Sequence, residues 1–147
     1  MKLCEKTGRR LRRNNYFARG AHLWLLYDDN TYWHTGKKSS GILYSTNDIY
    51  EAIMRVFNRQ PEYKPVSKIG ISVYGLEPTR PEQIELFETI ATKQRRIASA
   101  IDKTNDTYGE FTVVPALMMN MQDTIIKRVP FGGTKDLALM YAQYSQI

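Results

Sequence analysis

The chain has 147 residues, 42% apolar and 24% charged, with a net charge of +6; this suits one globular domain, or one small domain with an ordered tail, and excludes a disordered chain. No apolar run approaches the roughly 20 residues that span a bilayer, the basic start lacks the apolar stretch of a signal peptide, and the single cysteine, Cys4, excludes an internal disulfide, so a cytoplasmic setting with no membrane partner is expected. Residues 1–20 hold seven basic side chains (Lys2, Lys6, Arg9, Arg10, Arg12, Arg13, Arg19) against Glu5, and the rest balances at 14 against 14; one basic end on a neutral body points to a polyanion, nucleic acid or anionic lipid, or else to a solvated helix face.

Leu3, Thr7 and Leu11 recur at helical spacing, with Cys4 beside them, and predict a short amphipathic helix over residues 2–13 that stops at Asn14-Asn15. The aromatic and branched residues from His22 to Asp28 predict a strand, Asp28-Asp29-Asn30 a turn, and residues 35–44 a second strand weakened or bulged at Gly36 and Gly41. Ser45-Thr46-Asn47-Asp48 starts a helix: a hydroxyl accepts from an unpaired amide of the first turn, and Asp48 suits the helix dipole. Ile49, Ile53, Val56 and Phe57 form its apolar stripe, and Pro61 and Pro65 end it. Residues 68–76 alternate, with Ile69, Ile71 and Val73 on one side and Lys68, Ser72 and Tyr74 on the other, which predicts a half-buried strand. After two prolines, residues 84–106 predict a long helix, Tyr108-Gly109 a turn and residues 111–114 a short strand; residues 136–144 suit a terminal helix. Strand pairs with returning helices give an α+β fold, a small antiparallel or mixed sheet with helices on one face and a helical extension at the C-terminal end.

Catalytic chemistry finds little support. His22, His34 and Cys4 lack the four close ligands of a structural zinc site. Tyr27-Asp28-Asp29 matches the carboxylate pair of a nucleotidyl-transferase hairpin, but no acidic residue follows on the next strand, so an ordinary turn explains it. There is no Gly-x-Ser-x-Gly and no phosphate-binding Gly-Lys loop; Gly132-Gly133-Thr134-Lys135 is a turn with a lysine.

Two stretches point to binding instead. Lys37-Lys38-Ser39-Ser40, flanked by Gly36 and Gly41, lets a phosphate approach backbone amides beside lysines and hydroxyls; the same residues also suit an edge strand guarded by lysines. Gln83-Ile84-Glu85-Leu86-Phe87 has the form of a docking peptide, with a polar glutamine and with Leu86 and Phe87 for an apolar pocket. From spacing alone the preferred reading is the first core turn of the long helix, with Leu86, Phe87 and Ile90 facing inward.

Taken together these motifs resemble the little-finger (polymerase-associated, C-terminal) domain of bacterial Y-family translesion DNA polymerases, the ImpB/MucB/SamB group. The similarity runs over about residues 3–114. It rests on Leu11-Arg12-Arg13 closing a first helix, Ser45-Thr46-Asn47-Asp48-Ile49-Tyr50 opening a second, Lys68-Ile69-Gly70-Ile71-Ser72-Val73-Tyr74-Gly75-Leu76, the residues 83–87 motif, and Ala100-Ile101-Asp102-Lys103-Thr104-Asn105-Asp106-Thr107-Tyr108-Gly109; the tail Lys127-Arg128-Val129-Pro130-Phe131-Gly132 also looks like a terminus in this group. The resemblance implies a DNA-gripping region over 1–80, lacking the family's first strand, and a region over 81–147 with the anchor motif, long helix and tail. It implies template-primer DNA on Arg12, Arg13, Arg19, His34, Lys37, Lys38, Ser39 and Ser40, and a sliding clamp on Gln83, Leu86 and Phe87. No cofactor is implied for this segment; magnesium belongs to the catalytic part of the parent enzyme, which would make the protein a translesion, SOS-type repair polymerase. A missing strand would leave an open sheet edge, filled by residues 111–114 or by a second copy of the chain. Two other readings stay open: a non-catalytic clamp- or partner-binding adaptor, and a basic RNA-binding α+β domain stacking bases on Trp24, Tyr32 or Trp33.

Overall fold

The structure is a computed structural model that describes residues 1–79 and 90–119. The chain divides into two compact units, Met1–Leu117 and Met118–Ile147; the first contains the elements that follow. In order they are α1 (Lys2–Arg13), β1 (Tyr16–Tyr27), β2 (Tyr32–Leu43), α2 (Thr46–Phe57), β3 (Val66–Tyr74), β4 (Glu77–Pro78) and α3 (Ile90–Tyr108). This is the α+β fold expected, with every strand pair antiparallel.

β1 is central, flanked by β2 and β3, and the two residues of β4 pair with Tyr16 and Phe17 at its start. The connections follow local chemistry. Asn15 (φ 56°) and Asn30 (φ 61°) take the left-handed conformation that asparagine tolerates, and they turn α1 into β1 and β1 into β2. Asp29 closes the second turn: its carboxylate accepts from the Thr31 amide at 2.9 Å and from Lys64 Nζ at 2.9 Å. The Tyr-Asp-Asp sequence is therefore a hairpin turn, and Tyr27 is buried with its hydroxyl donating to Gln60 Oε1 at 3.1 Å. At the start of α2, Ser45 Oγ accepts from the Asp48 amide while Asp48 accepts from the Ser45 amide, so two orphan donors are satisfied reciprocally.

α1 and α2 pack on one face of the sheet. The core beneath them holds Leu23 and Leu25 of β1, Leu43 of β2, and Ile49 and Val56 of α2, all essentially inaccessible. Gly8 lets the helices close: a Cβ there would lie 2.8 Å from Arg12 Nη1 and 3.3 Å from Ile49 Cδ1. That tight approach offsets the cost of glycine inside a helix, about 1 kcal/mol relative to alanine.

Two expectations are corrected. β1 starts at Tyr16, six residues before His22; Ala18, Gly20 and Ala21 in its first half have weak strand propensity and conceal a buried strand, Ala18 and Ala21 being fully buried. Residues 111–114 form no strand and do not fill a sheet edge. Phe111 sits at φ 68°, and both backbone groups of Val113 are held by the Asn105 side chain, at 2.8 Å and 3.0 Å. Among the described residues, the outer edge of β3 has no strand partner.

Candidate nucleic-acid interface

Strand geometry divides the side chains between two faces. Ala21, Leu23 and Leu25 are in the core, and Trp33, Ile71 and Val73 pack against it. Alternation then places Gly20, His22, Trp24 and Leu26 of β1 on the opposite face, with Tyr32, His34, Gly36 and Lys38 of β2 and Lys68, Gly70, Ser72 and Tyr74 of β3. The register agrees: Gly20 is paired with Lys38 and Tyr74, His22 with Gly36 and Ser72, Trp24 with His34 and Gly70, and Leu26 with Tyr32 and Lys68.

This open face has a distinct character. None of the three long strands contains an aspartate or glutamate. Its glycines are seats for aromatic rings from the neighbouring strand. A Cβ on Gly20 would stand 2.2 Å from the Tyr74 ring, one on Gly36 3.2 Å from His22 Cδ2, and one on Gly70 3.5 Å from Trp24 Cε3. Rings lying across glycines flatten the surface and leave it aromatic and hydrogen-bonding, with Lys38 and Lys68 as its fixed cations.

The lysine–serine stretch lies at the end of this face. Between the pairs Gly20–Lys38 and Ala18–Leu43, β1 contributes only Arg19 while β2 runs through Ser39, Ser40, Gly41 and Ile42. The bulge takes β2 off the ladder there. Ser39 Oγ accepts from the Gly41 amide at 3.3 Å, and a Cβ on Gly41 would meet nothing within 4 Å. Lys37 and Lys38 are both exposed but fall on opposite faces, Lys38 with the open face and Lys37 with the helix side.

The basic end of the chain has a different fate. Arg12 is buried, donating from Nε and Nη2 to the Asp102 carboxylate at 2.6 Å and 2.8 Å and from Nη1 to the Tyr44 carbonyl at 2.8 Å. Arg9 and Arg13 both donate to Asp106 Oδ1. Those two bonds, Arg9 first and Arg13 second, hold the Asp106 carboxyl below the usual carboxylate range. Lys6 and Arg9 also reach Glu110, at 3.8 Å and 3.6 Å. Arg19 forms a forked pair with Glu77 at 3.0 Å and 3.3 Å. Asp102 and Asp106, four residues apart in α3, share one side of the helix, and Glu110 follows just beyond its end.

The candidates read from the sequence therefore separate. His34, Lys38 and the Ser39-Ser40 bulge belong to the open face or its rim. Arg12 is interior, and Arg13 and Arg19 are committed to internal carboxylates. Gln83, Leu86 and Phe87 lie outside the described residues. Sequence reasoning missed His22, Trp24, Lys68 and Tyr74 as a set with His34 and Lys38. The available signal was the absence of any acid from all three strands, but only the register shows that these six share a face. Among the described residues no three His, Cys, Asp or Glu side chains converge as a metal site, and no helix is long and apolar enough to cross a membrane.

Comparison with known proteins gives the family. The impB/mucB/samB family C-terminal domain matches residues 1–86. DNA polymerase IV of Pelotomaculum thermopropionicum is 28% identical over 87% of this chain and 32% of its own length. The putative UV-damage repair protein UvrX of Bacillus subtilis is 24% identical over 90% of the chain and 33% of its own length, and DNA polymerase IV of Moorella thermoacetica is 30% identical over 81% and 30%. The chain spans about a third of the length of these relatives. The match over more than half the chain shows that this protein belongs to the impB/mucB/samB family and carries its C-terminal domain.

Proposed function

We propose that the open face of β1, β2 and β3 grips the sugar–phosphate backbone of DNA within a DNA-repair polymerase. The observation that carries this is the contrast in charge. The α1 cations Lys6, Arg9, Arg12 and Arg13 face carboxylates from the α3 side, whereas Lys38 and Lys68 stand on strands with no acid at all. A surface with uncompensated cations and no fixed anion favours a polyanion in a sequence-independent way. Related proteins named as DNA polymerase IV and as a UV-damage repair protein supply the chemical setting.

In this reading the domain positions template-primer DNA and residues 83–87 tether the enzyme to a sliding clamp. The magnesium ions of nucleotide addition are assigned to a catalytic region other than these residues. The edge of β3 that has no strand partner among the described residues is assigned to strand addition by a second copy; light scattering of a monomer at high concentration would reject that part.

The test is a salt titration of duplex binding. The logarithm of the binding constant should fall with the logarithm of salt by about 0.9 per phosphate contacted. Lys38→Ala and Lys68→Ala should each flatten the slope by about one contact. Slopes unchanged in both variants would remove the open face from the interface. A second reading, an RNA-binding domain, is favoured by the aromatics Trp24 and Tyr32 on that face. Tryptophan quenching by single-stranded RNA but not by duplex DNA would select it.

A further inference from the structure

On the open face two imidazoles meet. His22 of β1 and His34 of β2 are diagonal neighbours across the strand pair, since His22 is opposite Gly36 and His34 opposite Trp24. His22 Nε2 and His34 Nδ1 are 3.3 Å apart, with ring centroids 5.4 Å apart. The His34 ring also stacks on Tyr32, nearly parallel at 9°. Gly36 keeps the space beside His22 open, because a Cβ there would come within 3.2 Å of that ring.

A contact of this kind depends on protonation. A neutral imidazole has one donor and one acceptor nitrogen, and an imidazolium has two donors. The pair can hold its hydrogen bond while one of the two facing nitrogens is bare. When both rings are protonated, two N–H groups face each other at 3.3 Å and the contact becomes repulsive. An oxygen carrying negative charge and accepting from both N–H groups relieves that repulsion. The surroundings supply no alternative anion: the groups that share the face are Lys38 and Tyr32 on β2, Trp24 on β1, and Lys68, Ser72 and Tyr74 on β3; none of β1, β2 and β3 carries a carboxylate, and Glu77 of β4 is paired with Arg19.

We infer that His22 and His34 form a proton-linked phosphate-binding site, which takes up protons when a nucleic-acid phosphate docks on the open face. The inference rests on the proposed DNA-binding reading and adds the residues and the pH dependence to it. Protonation near neutral pH is within the reach of histidine and of no other side chain on this face.

The experiment measures binding of a fluorescent duplex by anisotropy from pH 8 to pH 6 at fixed ionic strength. Calorimetry in two buffers of different ionisation enthalpy counts the protons taken up. The wild type should bind more tightly as pH falls, by about tenfold per pH unit for each proton taken up, and calorimetry should show net uptake. His22→Gln and His34→Gln should each flatten the pH slope, because glutamine keeps a donor without titrating. A wild type that binds DNA with no pH slope and no proton uptake overturns the inference and leaves the DNA-binding reading intact. So does a His22→Gln/His34→Gln double variant that keeps the full slope. No duplex binding at any pH in low salt overturns both.

Discussion

Arg12 and Asp102 lie 90 residues apart in the chain and meet as a forked, buried ion pair, with bonds of 2.6 Å and 2.8 Å. The pair links α1 to α3, and the third arm of the guanidinium holds the Tyr44 carbonyl at the end of β2. One side chain thus ties two helices to the sheet from the side opposite the open face. Removing one partner leaves a buried charge without compensation, which is the costly way to break such a pair. Asp102→Ala should destabilise the domain by roughly 3 kcal/mol, read as a lower urea midpoint with an unchanged slope. Adding Arg12→Met should restore much of that loss. A midpoint for Asp102→Ala equal to that of the wild type would show that α3 contributes nothing to the fold.

Acid should loosen α3 through Asp106. Its folded pKa lies below the ordinary 3.8 because Arg9 and Arg13 bond to it. A depressed carboxylate contributes stability that is present above pH 3.8 and is lost as pH falls through the folded value. Asp29, lowered to about 2 by its bonds to Thr31 and Lys64, adds to the same acid limb. Hydrogen exchange of the α3 amides should therefore speed up as pH falls below 3.8, beyond the intrinsic pH effect, and Asp106→Asn should show that faster relative exchange already at neutral pH. Equal protection in the variant and the wild type would refute the role given to Asp106.

Gly20 and Tyr74 should behave as a coupled pair. A Cβ at Gly20 would overlap the Tyr74 ring, standing 2.2 Å from its Cζ. Gly20→Ala should therefore push the half-exposed ring off the sheet and cost about 1 kcal/mol. In a Tyr74→Ala background the same substitution should cost almost nothing. Additive effects of the two changes would show that the ring does not occupy the seat.

The clamp tether predicts a separation of binding from folding. Leu86→Ala together with Phe87→Ala should abolish capture of the protein by an immobilised sliding clamp while its thermal unfolding stays unchanged. Loss of folding in that variant would instead place the two side chains in the core of the helix start.

Much of the fold was legible in local patterns. The period-two alternation marked β3, because Ile71 and Val73 pack against the core while Lys68, Ser72 and Tyr74 stay exposed; Ile69, expected on the inner side, is 48% exposed near the start of the strand. Ser45 and Asp48 marked the start of α2, since the capping box is a contact between residues three apart. The first half of β1 was not legible, because Ala18, Gly20 and Ala21 are small to fit what lies against them and carry no local strand signal. The fate of residues 111–114 depended on Asn105, whose amide is a better partner for Val113 than a sheet edge.

The sequence by itself determined the class of the fold, the family and the presence of a basic, polyanion-seeking character. Those follow from composition, periodicity and motif order, which are properties of neighbours along the chain. Only the tertiary structure decided where that character is available. It bonded Arg9, Arg12 and Arg13 of α1 to Asp102 and Asp106 from a helix that starts almost eighty residues later, and it aligned His22, His34, Lys38 and Lys68 from three strands on one acid-free face. Net charge counts ions, but only the folded positions of the counter-charges show which cations remain for a partner.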